Sequence, residues 1–102
     1  MKATKRHLAI IDIYETAEYI AQDDLEIAIR FTNAVEESIE LIKRAPQIGT
    51  LQKIRGHKGI RMWFVQDFPK ILIFYNESPD AIEIVRVIHS AQDFRRVFRK
   101  KR

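Results

Sequence analysis

No glycine or proline occurs between residue 1 and residue 45, and this unbroken stretch constrains the fold more than any other feature of the chain. Those two residue types interrupt regular structure most often, so a long segment lacking both favours helix wherever its apolar spacing agrees. Ile10, Ile13, Tyr14, Ala17 and Ile20 recur at helical spacing, with Asp12, Glu15 and Glu18 between them. Asp23 and Asp24 stand where that helix ends and where the next needs an N-cap. Ala28, Phe31, Val35, Ile39 and Ile42 mark a second amphipathic helix, which must stop before Pro46 and Gly49. A break this short makes the two helices antiparallel neighbours.

Past Gly49 the pattern changes. Residues 50–59 form a basic stretch with glycines at 56 and 59, read as a loop. Three aromatic and β-branched runs follow, Ile60 to Val65, Ile71 to Tyr75 and Ile82 to Ile88. Phe68-Pro69 and the segment 76–80 separate them, and connectors this short require antiparallel hairpins. The run 71–75 is apolar at every position, so it is the central strand. The fold class is therefore α+β: an N-terminal antiparallel helical hairpin packed on a three- to four-stranded antiparallel sheet. A short basic C-terminal helix or tail completes one domain over residues 1–102. The hairpin covers only one sheet face, so either a partner or the C-terminal segment must cover the other.

Charge is divided unevenly. Residues 12–40 hold nine acids against one base, Arg30, while residues 41–102 hold fourteen bases against five acids. A chain so polarised either offers one face to an anionic partner or carries separate solvated faces. The absence of cysteine excludes disulfides and thiolate chemistry. No apolar run reaches the roughly 18 residues of a membrane span, so a cytoplasmic protein with no membrane contact is expected. There is no glycine-rich phosphate loop and no HExxH or GxSxG motif. His7, His57 and His89 lack metal-like spacing, so no metal and no cofactor are expected.

What remains is a set of bases. Arg61 alternates with Trp63 and Val65, and Arg86 is in phase with Ile82, Ile84 and Ile88. An arginine among apolar neighbours needs a partner. That partner is either a phosphate gripped by the guanidinium fork, an internal acid such as Glu83 or Asp93, or an acidic segment of another protein. His89, at a strand end, suits either general acid–base work or a hydrogen-bonded strand terminus. Arg61, Arg86 and His89 are thus the catalytic candidates if the chain is a nuclease. Arg55, Lys58, Arg61, Trp63, Arg86, Arg95, Arg96 and Arg99 are candidates for binding a target or partner. Residues 95–102 hold six bases and no acid, which suits nucleic-acid contact, pairing with an acidic partner, or solubility alone. Val97 and Phe98 give that segment an apolar side with which a helix closes the open sheet face.

The frame Ala9-x-x-Asp12-Ile13, Tyr19-Ile20, Ala28-x-x-Phe31 and Pro46-x-x-Gly49 resembles the helical half of ParE-type toxins. Gly59-Ile60-Arg61, Val65-x-x-Phe68-Pro69 and Leu72-Ile73-Phe74-Tyr75 resemble their sheet. Residues 84–89 running into Ala91-Gln92-Asp93-Phe94 are similar to their closing strand and turn. The likeness spans about residues 8–95 and places the chain in the ParE/RelE superfamily of toxins. It implies a plasmid-stabilisation type toxin, wrapped by a cognate antitoxin as a hetero-oligomer or paired as a homodimer, that arrests bacterial growth when freed. ParE relatives act on DNA gyrase by contact, whereas RelE relatives cut mRNA on the ribosome. RelE-type nucleases place an arginine and then a tyrosine or histidine after the last strand. Here Gln92 stands at the arginine position, and Arg95 or Phe98 where the tyrosine falls. The resemblance therefore implies a ParE-like gyrase inhibitor, with a RelE-like endoribonuclease or an inactive relative as alternatives. The family's N-terminal strand has only residues 1–5 available here, so it is expected to be very short or absent.

Overall fold

The computed structural model describes residues 1–99, apart from the side chains of Arg95 and Arg99. In chain order the elements are β1 (Lys2–Lys5), α1 (His7–Ala21), α2 (Leu25–Arg44), β2 (Thr50–Leu51), β3 (Ile60–Val65), β4 (Phe68–Ser78), β5 (Ala81–His89) and α3 (Phe94–Arg99). The strands make one sheet in the order β1-β5-β4-β3-β2. The architecture is α+β as expected, with two departures. The short N-terminal strand is present, and it pairs parallel to β5 rather than antiparallel. Thr50–Leu51, within the expected loop, pairs with Met62 and Arg61 as a fifth strand. The N-terminal strand is the very short one that the resemblance allowed, whereas β2 was hidden because two residues are too few to show a period.

Local chemistry explains the helix limits. Asp24 caps α2, its carboxylate accepting from the Ile27 N–H at 3.2 Å. Lys43 and Arg44 occupy the last turn, where the helix dipole favours cations, and Ala45 ends it one residue before Pro46. Strand β4 runs longer than its apolar centre. A two-residue turn at Gln66 and Asp67 lets it start at Phe68, with Asp67 at φ 69°. Asp tolerates this left-handed conformation better than most residues. Pro69 then falls within the irregular stretch where the β3–β4 register shifts between Phe64 and Val65, so its missing N–H breaks no ladder bond. Ser38, buried on α2, donates to the Ala34 carbonyl at 2.7 Å and accepts from the Gln66 N–H at 2.9 Å, tying this turn to the helix.

One sheet face carries α1 and α2. Ala9, Phe31, Val35, Ile39 and Ile42 pack there against Val65, Ile73, Tyr75, Ile82 and Ile84. The other face carries α3, whose Phe94, Val97 and Phe98 pack against Ile60, Leu72, Phe74, Val85 and Ile88. The Phe74 ring meets Phe94 and Phe98 edge to face, with centroids 5.0 and 5.1 Å away. The second face is therefore closed from within, and it no longer argues for a partner.

The segment joining α2 to β2 is fixed by Tyr75. Its buried hydroxyl donates to the Pro46 carbonyl at 2.8 Å and accepts from the Gly49 N–H at 2.9 Å. A β-carbon at Gly49 would lie 2.6 Å from the Tyr75 oxygen and 3.0 Å from the Met62 carbonyl. Burial raises the Tyr75 pKa, and the Gly49 hydrogen bond and Arg61 charge partly oppose it. The folded protein thus holds this proton more tightly than the unfolded chain. The resulting stabilisation is complete below the ordinary phenol pKa of about 10 and fades as pH rises through the raised folded value. Gly49→Ala is expected to cost about 1–3 kcal/mol through overpacking. Tyr75→Phe should cost about 1–3 kcal/mol by orphaning the two backbone groups. It should also flatten the alkaline limb of the stability–pH curve, measured by urea unfolding. An unchanged alkaline slope in that variant would show that Tyr75 does not set it.

Candidate functional site

Strand β1 covers only the first half of β5, the last bond across their edge running from the Arg6 N–H to the Ile84 carbonyl. Beyond that point the edge would be open. Asp12, on α1, fills it. Its carboxylate accepts from Arg86 Nε at 2.7 Å, from Arg86 Nη2 at 2.9 Å and from the Val87 N–H at 3.0 Å. The pair is largely enclosed, with 17% of the Arg86 side chain and 11% of the Asp12 side chain exposed. The hydrogen bonds to Asp12 raise the Arg86 pKa further above its ordinary value, against the opposing effect of burial. Of the open alternatives for Arg86, the geometry is that of an internal ion pair. Its acid is Asp12 rather than Glu83 or Asp93, and Glu83 instead pairs with Arg6 at 2.9 Å.

The phase expected for Arg86 holds with Ile88 but fails with Ile82 and Ile84. The β4–β5 register shifts between Phe74 and Tyr75, leaving Val85 as an extra residue on β5. Ile82 and Ile84 therefore face the hairpin, Val85 and Ile88 face α3, and Arg86 sits opposite Phe74. A bulge resets a period of two, and no sequence period announces it.

Arg61 is half-buried on β3 opposite Tyr75. Its Nη1 donates to the Gly49 carbonyl at 2.8 Å, and its Nε lies 3.6 Å from Glu77. Trp63, two residues on, is packed beside the hairpin-side core and lies 4.7 Å from the Phe64 ring. His89 closes β5: its Nδ1 accepts from the Ala91 N–H at 3.0 Å, while its own N–H donates to Gln92 Oε1 at 3.3 Å. This is the hydrogen-bonded strand terminus. Arg61 and Arg86 stand two strands apart, about 10 Å between backbones, and His89 a further three residues along β5. The three nuclease candidates are thus held by different partners and do not converge on one point.

The cations that face solvent lie elsewhere. In the 52–59 segment the His57 N–H donates to the Ile54 carbonyl at 3.0 Å, closing a turn around Arg55 and Gly56, with Gly56 at φ 80°. That value suits the third position of a type II turn. Ile54 points into the α3-side core, and His57 lies edge-on to Phe98 at 5.1 Å with its Nε2 3.3 Å from the Phe98 carbonyl. Lys53, Arg55 and Lys58 point outward and are exposed. Arg96 is exposed on α3, beside a shallow depression it shares with Arg86, Gln92, Asp93 and Val97. The side chains of Arg95 and Arg99, and all of residues 100–102, lie outside the described residues.

The charge split of the sequence thereby becomes a split between layers. The acidic stretch 12–40 lies on one side of the sheet, in α1 and α2. The basic turn and α3 lie on the other. Among the described residues no three His, Cys, Asp or Glu side chains group as a metal site. No helix among them is long and apolar enough to cross a membrane. Sequence reasoning missed Asp12 and Tyr75 as partners because each acts on residues far along the chain. The only signal for Asp12 was its place in the resemblance frame.

Removing either member of the Asp12–Arg86 pair leaves the other charge enclosed and alone. Asp12→Ala and Arg86→Ala should each cost about 3 kcal/mol. The double variant should cost less than the two together, with a coupling of about 1 kcal/mol or more. A coupling near zero in a urea-denaturation cycle would show that the pair does not hold α1 to the edge.

The ParE toxin of type II toxin–antitoxin system, parDE, is the family whose profile matches, over residues 6–94. No curated protein matches by sequence. Among solved structures the chain is similar to one described as a chromosomal ParDE TA system from P. aeruginosa, at a TM-score of 0.69 and 14% identity. That likeness covers 87% of this chain and 95% of the other, and at such identity it speaks for the fold alone. The family match takes in both helices of the hairpin, every strand from β2 to β5, and the Asp12–Arg86 pair. The chain belongs to the ParE toxin family of type II toxin–antitoxin systems.

Proposed function

We propose that this protein is the toxin of such a pair, that it arrests bacterial growth by binding DNA gyrase in the cytoplasm, and that a cognate antitoxin neutralises it. The observation that carries a binding mode over catalysis is the tethering of Arg61, Arg86 and His89. Arg61 and Arg86 are each occupied by an internal partner and His89 is held through Nδ1 at a separate strand end, so the three do not converge on one reacting atom as acid–base catalysis requires. Gln92, at the position where RelE-type nucleases carry an arginine, supports the same reading.

The antitoxin reading draws on the outer side of the hairpin. Ile10 and Tyr14 on α1, and Leu25 and Ile29 on α2, are spaced one helical turn apart and are each more than half exposed. Large apolar side chains left in water along one element mark a protein-binding surface. Of the basic candidates, Arg55, Lys58 and Arg96 remain exposed. Arg61, Trp63 and Arg86 shape the sheet behind them.

Purified protein should inhibit gyrase supercoiling at micromolar concentration, and addition of the antitoxin from the adjacent reading frame should restore it. Unchanged supercoiling together with cleavage of ribosome-bound mRNA would transfer the assignment to the ribonuclease class.

A further inference from the structure

We propose that the 53–58 turn and the helix it is pinned to form a binding surface for the phosphate backbone of nucleic acid. Between Glu40 and Asp67 the chain carries six bases and no acid. Arg61 and Lys43 are engaged by Glu77 and Glu40, whereas Lys53, Arg55 and Lys58 make no ion pair among the described residues. The turn alternates: Ile54 and His57 face the core, and Lys53, Arg55 and Lys58 face water. Its inward residues also fix its place, because His57 holds the Phe98 carbonyl and ring of α3. The surface thus joins a shaped turn to a helix that contributes the exposed Arg96, and the helical hairpin with its acids lies beyond the sheet.

The chemistry favours nucleic acid over an acidic protein segment. Stable protein interfaces have an apolar centre, and here the apolar side chains of the turn and of α3 (Ile54, Val97, Phe98) are turned into the second core. What faces outward is cationic, and cations without apolar anchors are the means by which proteins hold phosphate backbones. Glycines at 56 and 59, both at φ 80°, let the backbone of the turn follow its tight path with open space around them. Phosphate binding at this turn is independent of gyrase inhibition.

The test is fluorescence anisotropy of the full chain with a labelled mixed-sequence DNA duplex across a salt series. Lys53→Ala, Arg55→Ala and Lys58→Ala combined should weaken binding about tenfold or more near 0.1 M salt. The combined variant should also lower the slope of log affinity against log salt by about 2.7, near 0.9 for each phosphate that is no longer neutralised. A Lys2→Ala and Lys70→Ala variant, which removes two exposed cations elsewhere, should bind as the parent does. Parent-like binding by the triple variant, with its circular dichroism unchanged, would overturn the proposal. So would displacement of the duplex by a polyglutamate peptide at matched charge, which would give the surface to an acidic protein segment. Supercoiling is read in a separate assay, so failure of either reading leaves the other standing.

Discussion

The Asp12 carboxylate organises this small domain. It stands where the sheet loses its outermost strand, and it satisfies three donors at once: two from a guanidinium and one from a strand backbone. An open N–H at that edge would be costly, and an enclosed arginine without an acid more so. Placing the acid on α1 resolves both demands and fixes where the helix lies over the sheet. Near that anchorage the hairpin packs on Ile82 and Ile84, and β1 passes into α1 through the bond from the Arg6 N–H to the Ile84 carbonyl.

Legibility in the sequence followed periodicity. The two helices could be read because Ile10 to Ile20 and Ala28 to Ile42 repeat over several turns, and because Asp24 and Pro46 bracket the second. The central strand could be read because residues 71–75 are apolar without exception. Features that depend on a single residue or on distant partners could not be read. Thr50–Leu51 is too short to carry a period, Val85 shifts a register without changing composition, and Asp12 meets Arg86 across 74 positions. The site behaved in the same way. The chain showed which residues are basic, but not that Arg61 and Arg86 would be consumed internally while Lys53, Arg55 and Lys58 stayed exposed.

The sheet also works as a partition. Acidic helices on one side and a basic turn with a basic helix on the other give the molecule two chemically opposed surfaces. The acidic side carries the exposed apolar side chains of Ile10, Tyr14, Leu25 and Ile29. The basic side hides its apolar residues beneath α3, which suits a polyanion. Two partners of different chemistry need not compete for one face of such a molecule.

The parallel pairing of β1 bears on the order in which the chain can assemble. Lys2 to Lys5 find their partners at Ala81 to Ile84, so the first strand made waits for the last. The hairpin, with local contacts only, can form long before, but Asp12 and Arg86 must then remain apart. Contacts of such long sequence separation slow folding, because much of the chain must be ordered before they form. On a ribosome the helices would emerge early with their core face exposed, and the domain would close only when β5 arrived to receive β1 and the carboxylate together.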